Sequence, residues 1–214
     1  MICFNSIYKS YEKEVFSAFS MCLNEGVTTS LLGPSGGGKT TLINMLLGFE
    51  KPDKGSISGL DAKKFSVVFQ EDRLLESFTV KENIMVSCKN ESLCKKVLNF
   101  LDMSDFSEFY ISELSGGMKR RTAIARCLLK NADIYIFDEP FKGIDEALKK
   151  KIIISMKEYL KGKTCFLVTH DIEEAVEMSD RIKIMDKNPA EIIKDISVKE
   201  IDTCFIENFK SGIL

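Results

Sequence analysis

The sequence lacks any uninterrupted apolar stretch long enough to span a bilayer, although 44% of its 214 residues are hydrophobic. Its first residues, 1–5, do not form a basic region followed by a long apolar run, so we expect no secretory signal. Internal repeats and low-complexity linkers are also missing. These absences predict a protein that serves a membrane, if it serves one at all, from outside the bilayer.

The chain also has little net charge and no regularly spaced cysteines. The formal net charge is −2, so no global field favours nucleic acid or acidic lipid as a partner. The 7 cysteines are dispersed, contain no C-x-x-C pair and have no histidine nearby. An odd, dispersed set predicts reduced thiols that serve as small apolar residues, and hence a cytosolic compartment.

What is present is the alternation of an α/β domain, in which short β-branched and apolar runs are separated by longer amphipathic segments. Strands are predicted over residues 28–32, 66–69, 134–137, 164–168 and 181–185. Helices are predicted over residues 39–47, 117–130, 145–161 and 171–178. The segment 80–109 has helical apolar faces and could form a small lobe, whereas 196–214 gives no clear signal.

A glycine-rich loop follows the first predicted strand. Residues 33–40 read G-P-S-G-G-G-K-T and fit the phosphate-loop pattern G-x-x-x-x-G-K-[ST]. The glycines let successive N–H groups face one anion, and the helix that follows adds its positive dipole end. Lys39 would neutralise the β- and γ-phosphates, and the Thr40 hydroxyl would ligate Mg²⁺. The alternative is a turn that only caps a helix. The strand–loop–helix context favours a bound nucleoside triphosphate, with predicted contacts at Gly33, Ser35, Gly36, Gly37, Gly38, Lys39, Thr40 and Thr41.

Two carboxylates end a later apolar strand, I-Y-I-F, as Asp138 and Glu139. In phosphate-loop enzymes a second acidic element holds Mg²⁺, which is the function we predict for Asp138. Glu139 could then polarise the water that attacks the γ-phosphate. A solvated strand end would explain the pair equally well in isolation, but the phosphate loop favours the catalytic interpretation.

A second candidate anion site lies at residues 114–118, L-S-G-G-M, just before the basic residues K-R-R. Ser115 and the glycines would form a helix N-terminus able to bind an anion, although a plain N-cap also explains Ser115. The pattern L-S-G-G-M-x-x-R, followed by a strand ending in D-E-P, closely resembles the signature motif of ABC (ATP-binding cassette) ATPases.

Other segments resemble motifs of the same family, in the family's order. Residues 66–72, S-V-V-F-Q-E-D, look like its Q-loop with Gln70, and residues 167–171, L-V-T-H-D, look like the segment of its switch histidine. His170 is the only histidine in the chain, and a lone histidine is more often structural than catalytic when no such pattern surrounds it. The resemblance extends from about residue 2 to residue 186.

Two further positions complete the resemblance. Tyr11 matches the position of the adenine-stacking aromatic residue, with Tyr8 as a nearby competitor. Residues 141–145, F-K-G-I-D, occupy the place of the family's D-loop; they retain Asp145 but depart from the usual small pair and Leu-Asp. These departures would affect the fine geometry of the contact that this loop makes with a partner subunit.

The resemblance implies an α/β fold with a phosphate-loop NTPase core, a mixed sheet, an N-terminal antiparallel β portion and a small helical lobe. It implies one domain over 1–214, with the lobe inserted at about 78–130. The cofactors implied are ATP and Mg²⁺. The catalytic residues implied are Lys39, Glu139 and His170. The metal-binding residues implied are Thr40, Gln70 and Asp138, and Gln70 would also contact ATP. The signature residues that would act across a dimer are Ser115, Gly116 and Gly117.

The partners implied are a second copy or a second ABC ATPase, integral membrane permease subunits and a substrate-binding protein, with no nucleic acid. We therefore expect a cytoplasmic ATPase, peripheral on the inner face of the cell membrane, that drives transport and most closely resembles importers of the nitrate, sulfonate and taurine group. Two alternatives are a non-transport ABC ATPase and a phosphate-loop kinase. The first usually carries a coiled-coil arm or a second cassette, and the second leaves the signature segment and His170 unexplained.

Overall fold

The computed structural model describes residues 1–186 and 189–212, which divide into two units. The first unit comprises Met1–Lys63 and Leu160–Leu214, and the second unit comprises Lys64–Tyr159. Strands and helices occur in both, in agreement with the predicted α/β class. Within the described ranges, we find no helix with the length and apolar character needed to cross a membrane.

An antiparallel sheet forms the N-terminal part of the first unit. Its strands are β1 (Ile2–Ser10), β2 (Glu14–Leu23) and β4 (Lys54–Ser58), with β1 in the centre. Apolar side chains such as Phe4, Ile7 and Phe16 are fully buried on one side of this sheet. The predicted N-terminal antiparallel β portion is thereby confirmed.

A disulfide crosses the N-terminal sheet. Cys3 on β1 pairs in register with Cys22 on β2, and their sulfur atoms are bonded. The prediction that all cysteines are reduced thiols is therefore wrong for this pair, because antiparallel register brings two residues far apart in sequence opposite one another. The remaining five cysteines are free, and burial raises the pKa of Cys165 to about 12.

The second sheet of the first unit is mixed and centres on β3 (Thr28–Leu32). This strand lies between β7 (Thr164–Thr169) and β8 (Arg181–Met185) and is parallel to both. β9 (Ile192–Ser197) then runs antiparallel to β8. All residues of β3 and β7 are buried, as expected for apolar strands with covered faces.

Among its described residues, the first unit has three α-helices: α1 (Lys39–Leu46), α6 (Ile172–Met178) and α7 (Thr203–Lys210). The last of them lies in the segment that gave no clear sequence signal. It begins at Asp202, whose carboxylate accepts a hydrogen bond from the Phe205 N–H group, and it packs against α6 through Phe205 and other partly buried apolar residues. Lys210 also forms an ion pair with Glu173 of α6.

Replacing Phe205 with Ala is expected to destabilise the first unit by about 1–3 kcal/mol, because the ring packs against a buried apolar cluster and beneath the Lys194 ammonium, 4.7 Å from its centroid. Urea unfolding measures the change. Cys204→Ala is the matched control, since the neighbouring Cys204 is exposed. Equal stability of the two variants would contradict the packing described for α7.

The second unit contains two parallel strands and four α-helices. β5 (Phe65–Val68) pairs with β6 (Ile134–Asp138), and the helices are α2 (Val80–Met85), α3 (Glu91–Phe100), α4 (Gly116–Leu129) and α5 (Glu146–Tyr159). The helical prediction for 80–109 is confirmed over α2 and α3 only, because Asn90 starts a new helix by accepting a hydrogen bond from Leu93 N–H. Helices α2, α3 and α4 lie within 78–130, where the lobe is predicted; the single-domain boundary stays a prediction.

Candidate active site

The phosphate loop joins the buried end of β3 to the start of α1. Gly38 precedes the helix with a φ of 91°, a backbone conformation that residues other than glycine rarely adopt. A Cβ atom at Gly38 would lie 2.6 Å from the Val15 side chain, and one at Gly33 would lie 2.8 Å from the Met185 carbonyl oxygen. The loop can therefore approach its neighbours this closely only with glycine at both positions.

Lys39 lies inside this loop. Its Nζ donates hydrogen bonds to the carbonyl oxygens of Gly33 and Pro34, at 2.7 Å and 2.9 Å, and the residue is buried. The first hydrogen bond of α1 runs from Leu42 N–H to the Gly38 carbonyl oxygen, so the loop ends at a helix N-terminus. A buried ammonium and the positive end of a helix dipole therefore occur together, which is the electrostatic requirement of an anion site.

Tyr11 lies in the turn between β1 and β2, with 56% of its surface exposed. Its hydroxyl hydrogen bonds to the Glu50 carboxylate, and the Lys9 ammonium lies 5.3 Å from the ring centroid. Partial desolvation and the Glu50 carboxylate raise the pKa of Tyr11. The ring is thus anchored at its polar end while its surface stays accessible, as a stacking residue requires. Tyr8 is less exposed, at 36%.

His170 follows the last residue of β7. Leu32 of β3 pairs in register with Thr169 of β7, so the phosphate loop and His170 leave the same edge of the first unit's sheet from adjacent parallel strands. The Thr169 hydroxyl donates to the buried Glu174 carboxylate at 2.7 Å, and Asp171 caps α6. Residues on both sides of His170 are therefore fixed by hydrogen bonds that the sequence motif alone did not reveal.

In the second unit, Gln70 and the acidic pair also share one sheet edge. Val68, at the end of β5, pairs with Phe137 near the end of β6, so the residues that follow both strands emerge side by side. Asp138 is 4% exposed. Glu139 has a φ of 49°, a left-handed conformation that is costly for a residue other than glycine.

The signature residues begin helix α4, as the sequence predicted. Ser115 is the N-cap, and its Oγ accepts a hydrogen bond from the Met118 N–H group at 3.3 Å. A Cβ atom on Gly116 would meet nothing within 4 Å, so this glycine is open on its outer side. A Cβ atom on Gly117 would lie 2.7 Å from the Gly143 carbonyl oxygen. The signature and D-loop segments are therefore in direct contact within the second unit.

Asp145 of the predicted D-loop caps a helix. Its Oδ1 accepts hydrogen bonds from the N–H groups of Ala147 and Leu148, at 3.0 Å and 3.2 Å, at the start of α5. An N-cap accounts for an aspartate here without any contact to a partner subunit. The action of Asp145 across a dimer stays a prediction.

Sequence reasoning missed Arg120. This residue of α4 is 3% exposed, and its guanidinium donates to backbone carbonyl oxygens beside Gln70 and at the end of β6. The sequence predicts a helix over 117–130 that contains the basic run K-R-R, and nothing in the run distinguishes the buried arginine from its neighbours. The predicted site residues thus form two sets: the phosphate loop, Tyr11 and His170 in the first unit, and Gln70, Asp138, Glu139, the signature residues and Asp145 in the second.

Each set, taken by itself, contains donors of a kind that a nucleotide or its metal needs. The loop and Lys39 provide positive charge for phosphates, and Thr40, Gln70 and Asp138 provide hydroxyl, amide and carboxylate oxygens, the ligands that Mg²⁺ prefers. The donor chemistry therefore fits Mg²⁺ together with a nucleoside triphosphate.

Known proteins similar to the chain are ATP-binding cassettes. A family model described as "ABC transporter" matches residues 16–142. The taurine import ATP-binding protein TauB of Roseobacter denitrificans is 37% identical over 82% of this chain and 72% of its own length. The Nod factor export ATP-binding protein I of Rhizobium etli is 36% identical over 86% of this chain and 65% of its own length. The ATP-binding cassette MJ0796, in a dimeric post-hydrolysis state with ADP and Pi, matches with a TM-score of 0.82 at 25% identity over 94% of this chain and 100% of its own.

Proposed function

Because the chain belongs to the ABC transporter family and is an ATPase subunit of a transporter, we propose that it powers solute import through a separate membrane permease. The similarity to taurine import proteins over about three quarters of their length supports import. The observation that carries the catalytic part is the pairing of Leu32 with Thr169, which brings the phosphate loop and His170 to one sheet edge.

ATP would bind with its adenine on Tyr11 and its phosphates in the loop 33–41. The loop's backbone N–H groups and Lys39 would face the phosphates, and the buried ammonium would exchange a carbonyl partner for a phosphate oxygen. Mg²⁺, when bound, would draw charge from the β- and γ-phosphates. Thr40, Gln70 and Asp138 would hold it.

Hydrolysis would depend on Glu139 and His170. Glu139 would accept a proton from the attacking water as general base, because a carboxylate at a strand end can reach a water beside the γ-phosphate. His170, held between the Thr169–Glu174 bond and the Asp171 cap, would contact the γ-phosphate. Most of the rate acceleration would come from positioning and charge stabilisation, as is usual in phosphoryl transfer.

The catalytic assembly would be a head-to-tail dimer that encloses two ATP molecules. Ser115, Gly116 and Gly117 of one copy would cover the ATP held by the phosphate loop of the other. The open outer side of Gly116 and the helix N-terminus that follows Ser115 leave backbone donors for a partner's phosphate. The partner is a second copy of this chain or a second ATPase of the same family.

The permease would dock on the helical lobe, at the inner face of the cell membrane. A groove between α2 and α3 is lined by Ile84, Met85, Cys94 and Leu98, and the nearby Val86 is 67% exposed. Ile84, Cys94 and Leu98 are themselves buried, so Met85 and Val86 provide the accessible apolar surface that a short helix from a membrane subunit would contact. Gln70 would connect ATP binding with this lobe.

Co-expression with the neighbouring transport genes tests the proposal. We expect the chain to purify with a multi-spanning permease, and the complex in vesicles to couple ATP hydrolysis to uptake from a periplasmic-type binding protein. Recovery with exporter-type subunits would contradict import, and phosphorylation of a small acceptor would contradict the ATPase function itself.

Replacing Tyr11 with Ala is expected to raise the KM for ATP by about fivefold to 150-fold while kcat changes little, since a base–aromatic stack contributes about 1–3 kcal/mol. Tyr11→Phe keeps the ring and should retain most of the affinity. Tyr8→Ala is the matched control from the same strand region. A normal KM in Tyr11→Ala, with a raised KM in Tyr8→Ala, would assign the stacking function to Tyr8 instead.

A further inference from the structure

Three arginines of α4 each bind the carbonyl oxygen of a residue in the left-handed conformation. Among the described residues of 64–159, the non-glycine residues with positive φ lie directly after the Q-loop segment 66–72, after α3 and after β6. The three bonds run from Arg126 to Arg73 at 2.8 Å, from Arg121 to Asp102 at 2.7 Å and from Arg120 to Glu139 at 2.6 Å. Left-handed backbone persists only where the surroundings over-determine it, so these bonds hold conformations that the chain would otherwise leave.

The Arg120 guanidinium uses all of its N–H groups in hydrogen bonds to oxygen atoms of the chain. Nε donates to the Pro140 carbonyl oxygen at 2.9 Å, and Nη2 donates to those of Asp138 and Glu139. Nη1 donates to the Phe69 carbonyl oxygen and to the Asp72 carboxylate at 3.0 Å. Nη1 also lies 3.5 Å from the Gln70 carbonyl oxygen, so five N–H donors serve six acceptors, and the fork geometry that permits this is specific to arginine.

The acceptors lie on both sides of two residues that the proposed function uses. Phe69 and Asp72 flank Gln70, whereas Asp138 and Pro140 flank Glu139. A buried, fully paired arginine could serve folding alone, and its neighbour Arg121 provides that case, because its partners Leu101 and Asp102 lie in the helical lobe. Arg120 differs because its partners are the backbone of the catalytic segments.

We propose that Arg120 is a positioning residue for ATP hydrolysis, which holds Glu139 in its left-handed conformation and fixes the Gln70 segment relative to it. The inference rests on the proposed function of Glu139. Because Arg120 belongs to α4, the helix that begins with the signature residues sets the orientation of the general base, Glu139. Displacement of a catalytic group by about 1 Å can lower a rate a hundredfold, so the contribution of such a clamp is measurable.

Arg120→Lys keeps the charge and most of the volume but loses the fork. We expect kcat for ATP hydrolysis by the purified chain to fall about tenfold to a hundredfold, with the KM for ATP within about twofold of wild type, since the nucleotide-binding loop is untouched. Arg121→Lys is the matched control, a buried arginine on the same helix. It should lose comparable thermal stability and retain its kcat.

A double-mutant cycle separates positioning from folding. In the Glu139→Gln background, Arg120→Lys should lower the residual rate by less than about twofold, because the group that it orients is no longer a base. An equal loss in both backgrounds, or an equal fall of kcat in Arg121→Lys, would overturn the inference. Wild-type chain without ATPase activity, alone or with its permease, would overturn the proposed function and this inference together.

Asp72→Asn keeps the test decisive if Arg120→Lys does not fold. Asp72 is partly exposed and contributes the only carboxylate among the six acceptors, so its replacement weakens the hold on Arg120 without emptying a buried site. We expect a several-fold fall in kcat at unchanged KM. A kcat equal to that of wild type in this folded variant would contradict the positioning function of Arg120.

Discussion

Glu139→Gln is expected to lower kcat for ATP hydrolysis by about a thousandfold and to leave ATP binding intact, because it removes the proton acceptor and preserves the size of the side chain. The backbone at Glu139 has a φ of 49° and is held by carbonyl contacts to Arg120, which do not involve the carboxylate. The variant should therefore fold normally and bind ATP without turning it over.

Two measurements on this variant test separate parts of the proposed function. Phosphate release gives the rate, and size-exclusion chromatography with ATP shows whether a dimer accumulates. We expect the variant to accumulate an ATP-bound dimer that wild type does not retain. Glu158→Gln, at an exposed glutamate of α5, is the control. Hydrolysis at the wild-type rate by Glu139→Gln would contradict the assignment of the general base.

Lys39→Met is expected to lower kcat/KM for ATP by about a hundredfold to a thousandfold. In other enzymes, the removal of one hydrogen-bond donor that stabilises the charge of the transition state has an effect of this size. Methionine keeps an unbranched apolar chain in the space that Lys39 occupies. The loop, which depends on glycine at 33 and 38, should retain its conformation. The loss should therefore reflect charge and not misfolding.

A fluorescent ATP analogue distinguishes this variant from the previous one. Lys39→Met should bind the nucleotide weakly and should not dimerise with ATP, whereas Glu139→Gln should do both. Lys161→Met is the control, because Lys161 is an exposed lysine of the same unit. ATP affinity equal to that of wild type in Lys39→Met would show that the backbone N–H groups, and not the ammonium, dominate phosphate binding.

The site was predictable where its chemistry is local. A phosphate loop requires glycines, a lysine and a helix N-terminus within eight residues, and these determine their own arrangement. The strand before Asp138 and the N-cap at Ser115 are local in the same sense, and both lie where the sequence predicted. Helix α1 ends within one residue of its predicted end.

The parts that could not be predicted depend on distant partners. The carbonyl groups that bind Arg120 come from residues 18 to 51 positions away in the sequence, so the buried arginine resembles a solvated one in sequence. The Cys3–Cys22 bond follows from strand register, which dispersed cysteines do not reveal. Helix α7 has only eight residues, a length that is marginal for an isolated helix, and it owes its place to contacts with α6.

The burial of β3 has a consequence for hydrogen exchange. The strand lies between β7 and β8 and pairs with both, and none of its residues is more than 8% exposed. The amides of such a strand exchange only when the surrounding structure unfolds as a whole, whereas frayed ends and loops exchange by local opening. The strand should thus remain protonated long after the N–H groups of the phosphate loop have exchanged. Slower deuterium uptake in the loop on adding ATP, measured at times when β3 is still fully protected with and without nucleotide, would then report contact with the ligand.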